Sequence, residues 1–224
     1  MKYHIDFDID FKRNPYKGLY IALEGINASG KNTQIDKIKI YLEKQGEKVV
    51  ITEEPNHNLV IGKFVRNAIT KGVTFPLSAL QYLYTADRII NHESIIIPAL
   101  KEGKVVLASR SFWSGLVYGV VDRGGKYTQN EADRLLVAQG ILSMYHQFII
   151  PDKTFYLDAK IDTIVMRMEK MHQVKDIYET REKLLELLAG YQWLVKQFPK
   201  EFSIIDGEQS VENVTEEIIK RIKK

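Results

Sequence analysis

A chain of 224 residues with 45% hydrophobic and 27% charged side chains has the make-up of one globular domain with a sizeable core, not of a disordered or fibrous protein. Its 32 Lys and Arg against 29 Asp and Glu leave a balance of +3, too slight to argue for a nucleic-acid partner; the lack of cysteine excludes disulfides, thiolate metal sites and cysteine nucleophiles. No apolar run approaches membrane-spanning length and the first residues, with Asp6, Asp8 and Asp10, do not fit a signal peptide, so the expected setting is cytoplasmic, with no membrane partner.

Residues 1–17 alternate Ile5, Phe7, Ile9 and Phe11 with Asp6, Asp8 and Asp10, a period of two that Lys12-Arg13-Asn14-Pro15 breaks. They read as an N-terminal extension, an edge strand or packing arm ahead of a domain spanning 18–224. That domain opens with a buried strand at 19–24 and a helix at 33–45, built on Ile35, Ile38 and Leu42 and stopped by Gly46. A strand at 48–52 and a helix at 59–68 follow. Residues 77–100 read as one long helix or two, interrupted near Pro98. The pattern continues with a strand at 105–108, helices at 112–121 and 130–145, a strand at 153–157, helices at 161–171 and 178–198, a strand at 202–205 and a closing helix at 211–224.

Alternation of short buried strands with helices predicts a three-layer α/β fold, a five-stranded parallel sheet with helices on both faces. Ligands of such sheets sit beyond the C-terminal ends of the strands. Glu24 with the loop after it, Glu53-Glu54-Pro55, Ser109-Arg110-Ser111 and Asp158 should therefore line one crevice. The polar segment at about 168–178 carries weak structure signals and reads as a short lid.

Between the first strand and the first helix stands Gly25-Ile26-Asn27-Ala28-Ser29-Gly30-Lys31-Asn32-Thr33. The spacing is that of G-x-x-x-x-G-K-[ST], in which glycines let backbone N–H groups face an anion, the helix N-terminus adds its dipole and the lysine reaches the β- and γ-phosphates. These nine residues are the expected ATP site. Asn32 stands where a hydroxyl would reach a magnesium ion, and it can offer only an amide oxygen.

Further motifs narrow the reading: Glu54-Pro55, Ile61-Gly62-Lys63, Thr85-Ala86-Asp87-Arg88, Ser109-Arg110 with Ser114 and Tyr118, Pro151-Asp152-Lys153-Thr154-Phe155-Tyr156-Leu157-Asp158, and Gly190-Tyr191. In order and near-spacing, from about Gly18 onward, the chain resembles the thymidylate kinases, P-loop kinases of a nucleoside monophosphate. The resemblance implies transfer of the γ-phosphoryl of ATP to dTMP with Mg2+, in a homodimer. It also implies that Lys31 bridges donor phosphates, Arg110 binds the acceptor phosphate, Tyr84 stacks on thymine, Arg88 donates to a base carbonyl, and Tyr118 lies against the sugar. Ser114 joins the substrate site through the same motif. Arg167, with Lys170 and Lys175, would supply lid cations because the phosphate loop, with Ala28, carries no arginine. Taken without the motifs, Tyr84 and Tyr118 read as core aromatics, Arg88 as a surface ion pair and Arg167 as part of a solvated helix face.

The chain departs from that family at several places. Aspartate is usual at Asn27 and at Ser109, arginine at Glu53, and a glutamine or threonine is often found at Gly119. An active enzyme then needs a rewired magnesium site in which Glu24, Thr33, Asp158 or ordered waters take the place of the missing aspartate and hydroxyl. Two alternatives remain open on these residues: a deoxynucleoside kinase, suggested by Ser109-Arg110-Ser111, and a nucleotide-binding regulatory protein with little turnover. Asp87-Arg88 and 151–158 fit the thymidylate kinases better, and a monophosphate acceptor needs no base because its oxygen is already ionised.

Overall fold

The computed structural model describes residues 10–72, 75–123, 131–171 and 176–223. Five strands, β1 (Leu19–Glu24), β2 (Val49–Glu53), β3 (Val105–Ser109), β4 (Lys153–Asp158) and β5 (Phe202–Asp206), form a wholly parallel sheet in the order β2-β3-β1-β4-β5. Between and after them run α1 (Lys31–Lys44), α2 (Val60–Lys71), α3 (Leu80–Asn91), α4 (Ile97–Lys101), α5 (Phe112–Asp122), α6 (Glu131–Tyr145), α7 (Ile161–Met171), α8 (Arg181–Gln197) and α9 (Val211–Ile222).

Side chains on a strand alternate between faces, and β1 shows the consequence. Ile21 and Leu23 pack with Ile35, Ile38 and Leu42 of α1 and Val214 and Ile218 of α9. Tyr20 and Ala22 pack on the opposite face with Ala99 and Leu100 of α4. Helices thus cover both faces, as the pattern predicts. A third cluster, built from α5, α6 and α8 around Trp113, Leu116, Ile141, Leu187 and Leu194, carries the helices beside the crevice.

Local chemistry moves several element ends. Gly30, at φ 105°, turns the loop into α1, so the helix begins at Lys31 and not at 33. Thr180 accepts a hydrogen bond from the Lys183 N–H and caps α8, which starts at Arg181 and not at 178. The interruption expected near Pro98 lies instead at a π-helical turn, His92–Ile96, and Pro98 sits inside the first turn of α4. A proline there needs no donor for the helix, and the widened turn before it absorbs the change of register.

Of the N-terminal extension, residues 1–9 lie outside the described residues. The remainder packs as an arm: Phe11 lies 5.3 Å from the ring of Trp113 and 5.6 Å from that of Phe198, and Lys12 bridges to Ile149 ahead of β4. Arg13 pairs with Glu201.

Candidate active site

The phosphate loop leaves β1 through Gly25, at φ 142°, where a Cβ would stand 2.7 Å from Ser29 Oγ and 3.0 Å from the Leu157 carbonyl. Only glycine fits that approach. Ala28 also adopts a positive φ, 59°. Lys31 folds back over the loop, its Nζ donating to the carbonyls of Gly25 at 3.0 Å and Ile26 at 2.8 Å. Burial holds its ammonium well below the usual lysine range, Arg110 adds to the depression and Glu24 opposes it. Asn32 and Thr33 are exposed at the mouth of α1.

Two adjoining cavities lie at the C-terminal ends of β1, β2 and β3. The larger, about 650 Å³, is lined by residues 27–34 of the loop and by Glu53, Ser109 and Arg167. The smaller is lined by Tyr84, Arg88, Ser114, Gly115, Tyr118 and Tyr178. Asn27, Glu54, Pro55, Arg66, Arg110 and Asp176 line both. The loop, 53–55 and 109–110 therefore converge as expected of strand ends. Glu24, Ser111 and Asp158 do not line these cavities.

Their side chains explain why. Glu24 is fully buried; its Oε1 accepts from the Ser111 N–H and Oγ, both at 2.8 Å, and its Oε2 from Ser114 Oγ and from the Tyr191 hydroxyl at 3.0 Å. Burial raises its pKa and the serine hydrogen bonds partly offset that. With both oxygens occupied, Glu24 is a brace for the loop after β3 rather than the metal ligand expected. Asp158, at the end of β4, accepts from the Tyr156 hydroxyl at 3.1 Å.

Arg110 occupies the centre. Its backbone holds φ 74°, a costly conformation for a residue with a Cβ, which turns the side chain back across β1. Nη1 donates to the Gly25 carbonyl at 3.0 Å and to Tyr191 OH at 3.2 Å; Nη2 donates to Asn27 Oδ1 at 2.6 Å, and the guanidinium lies 4.9 Å from the Tyr118 ring centroid. Ser109 Oγ donates to Asn32 Oδ1 at 3.0 Å, so two of the departures noted in the sequence are bonded to each other.

In the smaller pocket Arg88 is buried, not a surface ion pair. Its Nε and Nη2 both donate to Glu54 Oε2, at 2.8 and 2.6 Å, its plane lies 4.3 Å from the Tyr145 ring, and Nη1 has no hydrogen-bond partner among the described residues. Tyr84 and Tyr118 line the same pocket and Tyr118 meets Tyr178 edge-on at 4.8 Å. The space that a longer side chain at Gly119 would need is filled by Ile141 and Gln81, whose atoms stand 2.3 and 2.9 Å from where its Cβ would lie.

From the far side, Asn27 Nδ2 donates to Asp176 Oδ2 and Glu179 Oε1, each at 2.9 Å. Arg167 reaches over the phosphate loop, near the carbonyls of Ala28 and Ser29 at 3.5 and 3.4 Å, and its Nη2 donates to Gly207 O at 2.9 Å. Lys170 also lines the larger cavity; Lys175 and the rest of 172–175 lie outside the described residues. Asp176, Tyr178 and Glu179 were missed by sequence reading, which placed 178 onward in a helix. Arg66 and Tyr145 were missed as well, because helical periodicity accounts for each without a ligand; Tyr191 stood in the Gly190-Tyr191 motif without an expected contact. The Asp-x-Tyr-Glu run ending at the Thr180 cap is the signal that marks the loop residues.

A parallel sheet whose first strand feeds a glycine-bracketed loop and lysine, with an arginine at the end of a neighbouring strand facing the same cleft, defines a P-loop phosphotransferase. Comparison with known proteins narrows the class. The family described as thymidylate kinase matches residues 23–218. A thymidylate kinase of Thermoanaerobacter sp. (strain X514) is 34% identical over 210 residues, covering 93% of this chain and 98% of that protein. One from Bifidobacterium longum (strain NCC 2705) is 32% identical, over 88% and 93%, and one from Kosmotoga olearia is 30% identical, over 90% and 94%. The chain belongs to the thymidylate kinase family.

Proposed function

We propose that the chain transfers the γ-phosphoryl of ATP to dTMP, with ATP in the larger cavity and dTMP in the smaller one. The observation that carries the reading is Arg110, which lines both cavities while its guanidinium touches the phosphate loop at Gly25. Phosphoryl transfer asks mainly for positioning and cationic stabilisation. Lys31 leaves the Gly25 and Ile26 carbonyls for the donor phosphates, Arg110 holds the acceptor phosphate in line, and Arg167 adds charge from the loop's outer side. Tyr84 and Tyr118 flank the nucleoside, Arg88 offers Nη1 to the base, and Ser114, with Asn27, borders the sugar and phosphate.

Asn32, Thr33, Ser109 and Glu53 line the ATP cavity. All carry hard oxygen donors, which fits a magnesium ion that shares its ligands with substrate phosphates and water. When bound, the ion neutralises charge on the β- and γ-oxygens. The segment around 168–178 serves as the lid, with Asp176 and Glu179 latched to Asn27, and excludes water.

Residues 18–224 act as one kinase domain carrying the 1–17 extension. A cytoplasmic setting accords with the described helices, none of which is long and apolar enough to cross a membrane. Exposed Val60, Phe64, Tyr82, Ile89 and Ile90 on the packed pair α2 and α3 offer an apolar face for a homodimer. The deoxynucleoside kinase and regulatory readings give way to this one, since the matched relatives are named thymidylate kinases over nearly their whole lengths.

ADP release measured with a panel of nucleoside monophosphates and with thymidine tests the reading. Turnover with dTMP well above the rest is expected; turnover with thymidine alone, or nucleotide binding without turnover, would overturn it. Tyr118→Ala should narrow the preference for deoxyribose over ribose acceptors in the same assay.

A further inference from the structure

Where the phosphate loop enters α1, Asn32 follows Lys31 and accepts a hydrogen bond from Ser109 at 3.0 Å. Ser109 ends β3 and is paired in register with Glu53, which ends β2. Asn32, Thr33, Ser109 and Glu53 line the same cavity as Lys31. Together they present three neutral oxygen donors and one carboxylate beside a loop that turns backbone amides toward phosphate.

A magnesium ion on nucleotide phosphates ordinarily takes one or two protein carboxylates. The other acidic residues lining this cavity are committed or stand elsewhere. Glu54 gives Oε2 to buried Arg88, and its side chain is 4% exposed, with Oε1 buried and without a partner among the described residues. Asp176 and Glu179 hold the Asn27 amide. Glu169 lies on α7, the helix that carries Arg167, and not at a strand end. Glu24 is buried among the Ser111, Ser114 and Tyr191 hydroxyls, and Asp158 does not line the cavity. Among the described residues Glu53 keeps one partner, the exposed His57 ring four residues on in the turn that follows β2, and its side chain remains 33% exposed.

Resting on the reading of the chain as an ATP-dependent kinase, we infer that Glu53 is its carboxylate ligand toward the magnesium–nucleotide complex, the negative charge standing on β2 because β3 ends in Ser109. Asn32 and Ser109, bonded to each other, form the neutral side of that site. His57 gives up its contact with Glu53 when the cation binds.

Mn2+ binding to the full chain, followed by electron paramagnetic resonance in the presence of the non-hydrolysable donor β,γ-imido-ATP, tests the inference. Glu53→Gln should weaken Mn2+ binding to the protein–nucleotide complex roughly 10- to 100-fold. Affinity for the analogue in excess EDTA should stay within about twofold, and the added change Ser109→Asp should recover most of the loss by returning a carboxylate one strand over. Glu53→Ala gives the same readout should the glutamine variant fail to fold. Wild-type Mn2+ affinity in a folded Glu53 variant overturns the inference and leaves the kinase reading standing; failure of the unaltered chain to bind the analogue overturns both.

Discussion

Arg110 Nη2 donates to Asn27 Oδ1 across 2.6 Å, while the amide nitrogen of the same asparagine is held by Asp176 and Glu179 on the opposite side. Asn27 thus joins a cation to two carboxylates, a task that needs one acceptor and one donor on a single side chain. An aspartate there keeps the arginine but sets a third carboxylate against the other two. Asn27→Asp is therefore expected to lower kcat/KM for dTMP about tenfold, equivalent to about 1.4 kcal/mol. Asp176→Asn in the same chain should restore much of it, a coupling that a double-mutant cycle measures. An unchanged kcat/KM in Asn27→Asp would show that the bridge is dispensable.

Lys31 is the second case. Its buried ammonium is disfavoured until phosphate arrives, so activity and stability respond in opposite directions. Lys31→Ala should reduce turnover by roughly 10²- to 10³-fold through the loss of charge stabilisation. Stability should hold or rise. A lysine whose folded pKa lies below its unfolded value binds fewer protons in the native state, so its destabilising effect is greatest at lower pH and fades as pH rises toward the ordinary lysine range. Urea unfolding at pH 7 and 9 should show the wild type gaining on the variant at the higher pH; a gap that widens would contradict the assignment.

Glu54 and Arg88 form a buried pair, and removing one partner strands the other. Glu54→Gln should cost about 3–5 kcal/mol, readable in chemical denaturation, and should also weaken dTMP binding because Arg88 loses its fixed orientation. Glu54→Gln with Arg88→Met should be more stable than Glu54→Gln alone, although inactive. Equal stability of the two would mean that the pair is not desolvated as its surroundings indicate.

The sheet, its five strands and the phosphate loop were legible because they depend on local patterns: buried runs, helical periodicity, and glycines forced by positive φ or close approach. Tyr84, Arg88, Arg110, Ser114 and Tyr118, which motif spacing singled out, line one pocket. Glu24 was misplaced because strand-end position alone does not say which way a carboxylate turns, and the Ser111, Ser114 and Tyr191 hydroxyls that enclose it come from distant segments. Asp176 and Glu179 stayed hidden for the same reason, since their partner Asn27 lies far earlier in the chain, at separations of 149 and 152. Glu53 read as a departure until register set it beside Ser109.

Asp122 gives the last expectation, a dependence on pH. Its Oδ1 accepts from the Tyr178 hydroxyl at 2.7 Å and its Oδ2 from Gln81 Nε2 at 2.8 Å, behind the wall that Tyr178 and Tyr118 give the smaller pocket. Burial pushes its pKa from 3.8 up to about 6, against the pull of those two hydrogen bonds. Between these values the native state keeps a proton that the unfolded chain has released, so stability falls as pH rises through the window. The full effect is at most about 3 kcal/mol. Asp122→Asn removes the titration while keeping a similar shape. The stability of the wild type relative to this variant should therefore drop between pH 4 and pH 7 in urea unfolding, with shared contributions from other buried carboxylates cancelling in the difference. Curves that run parallel across that range would place the Asp122 titration outside it and detach the wall of the smaller pocket from any proton held there.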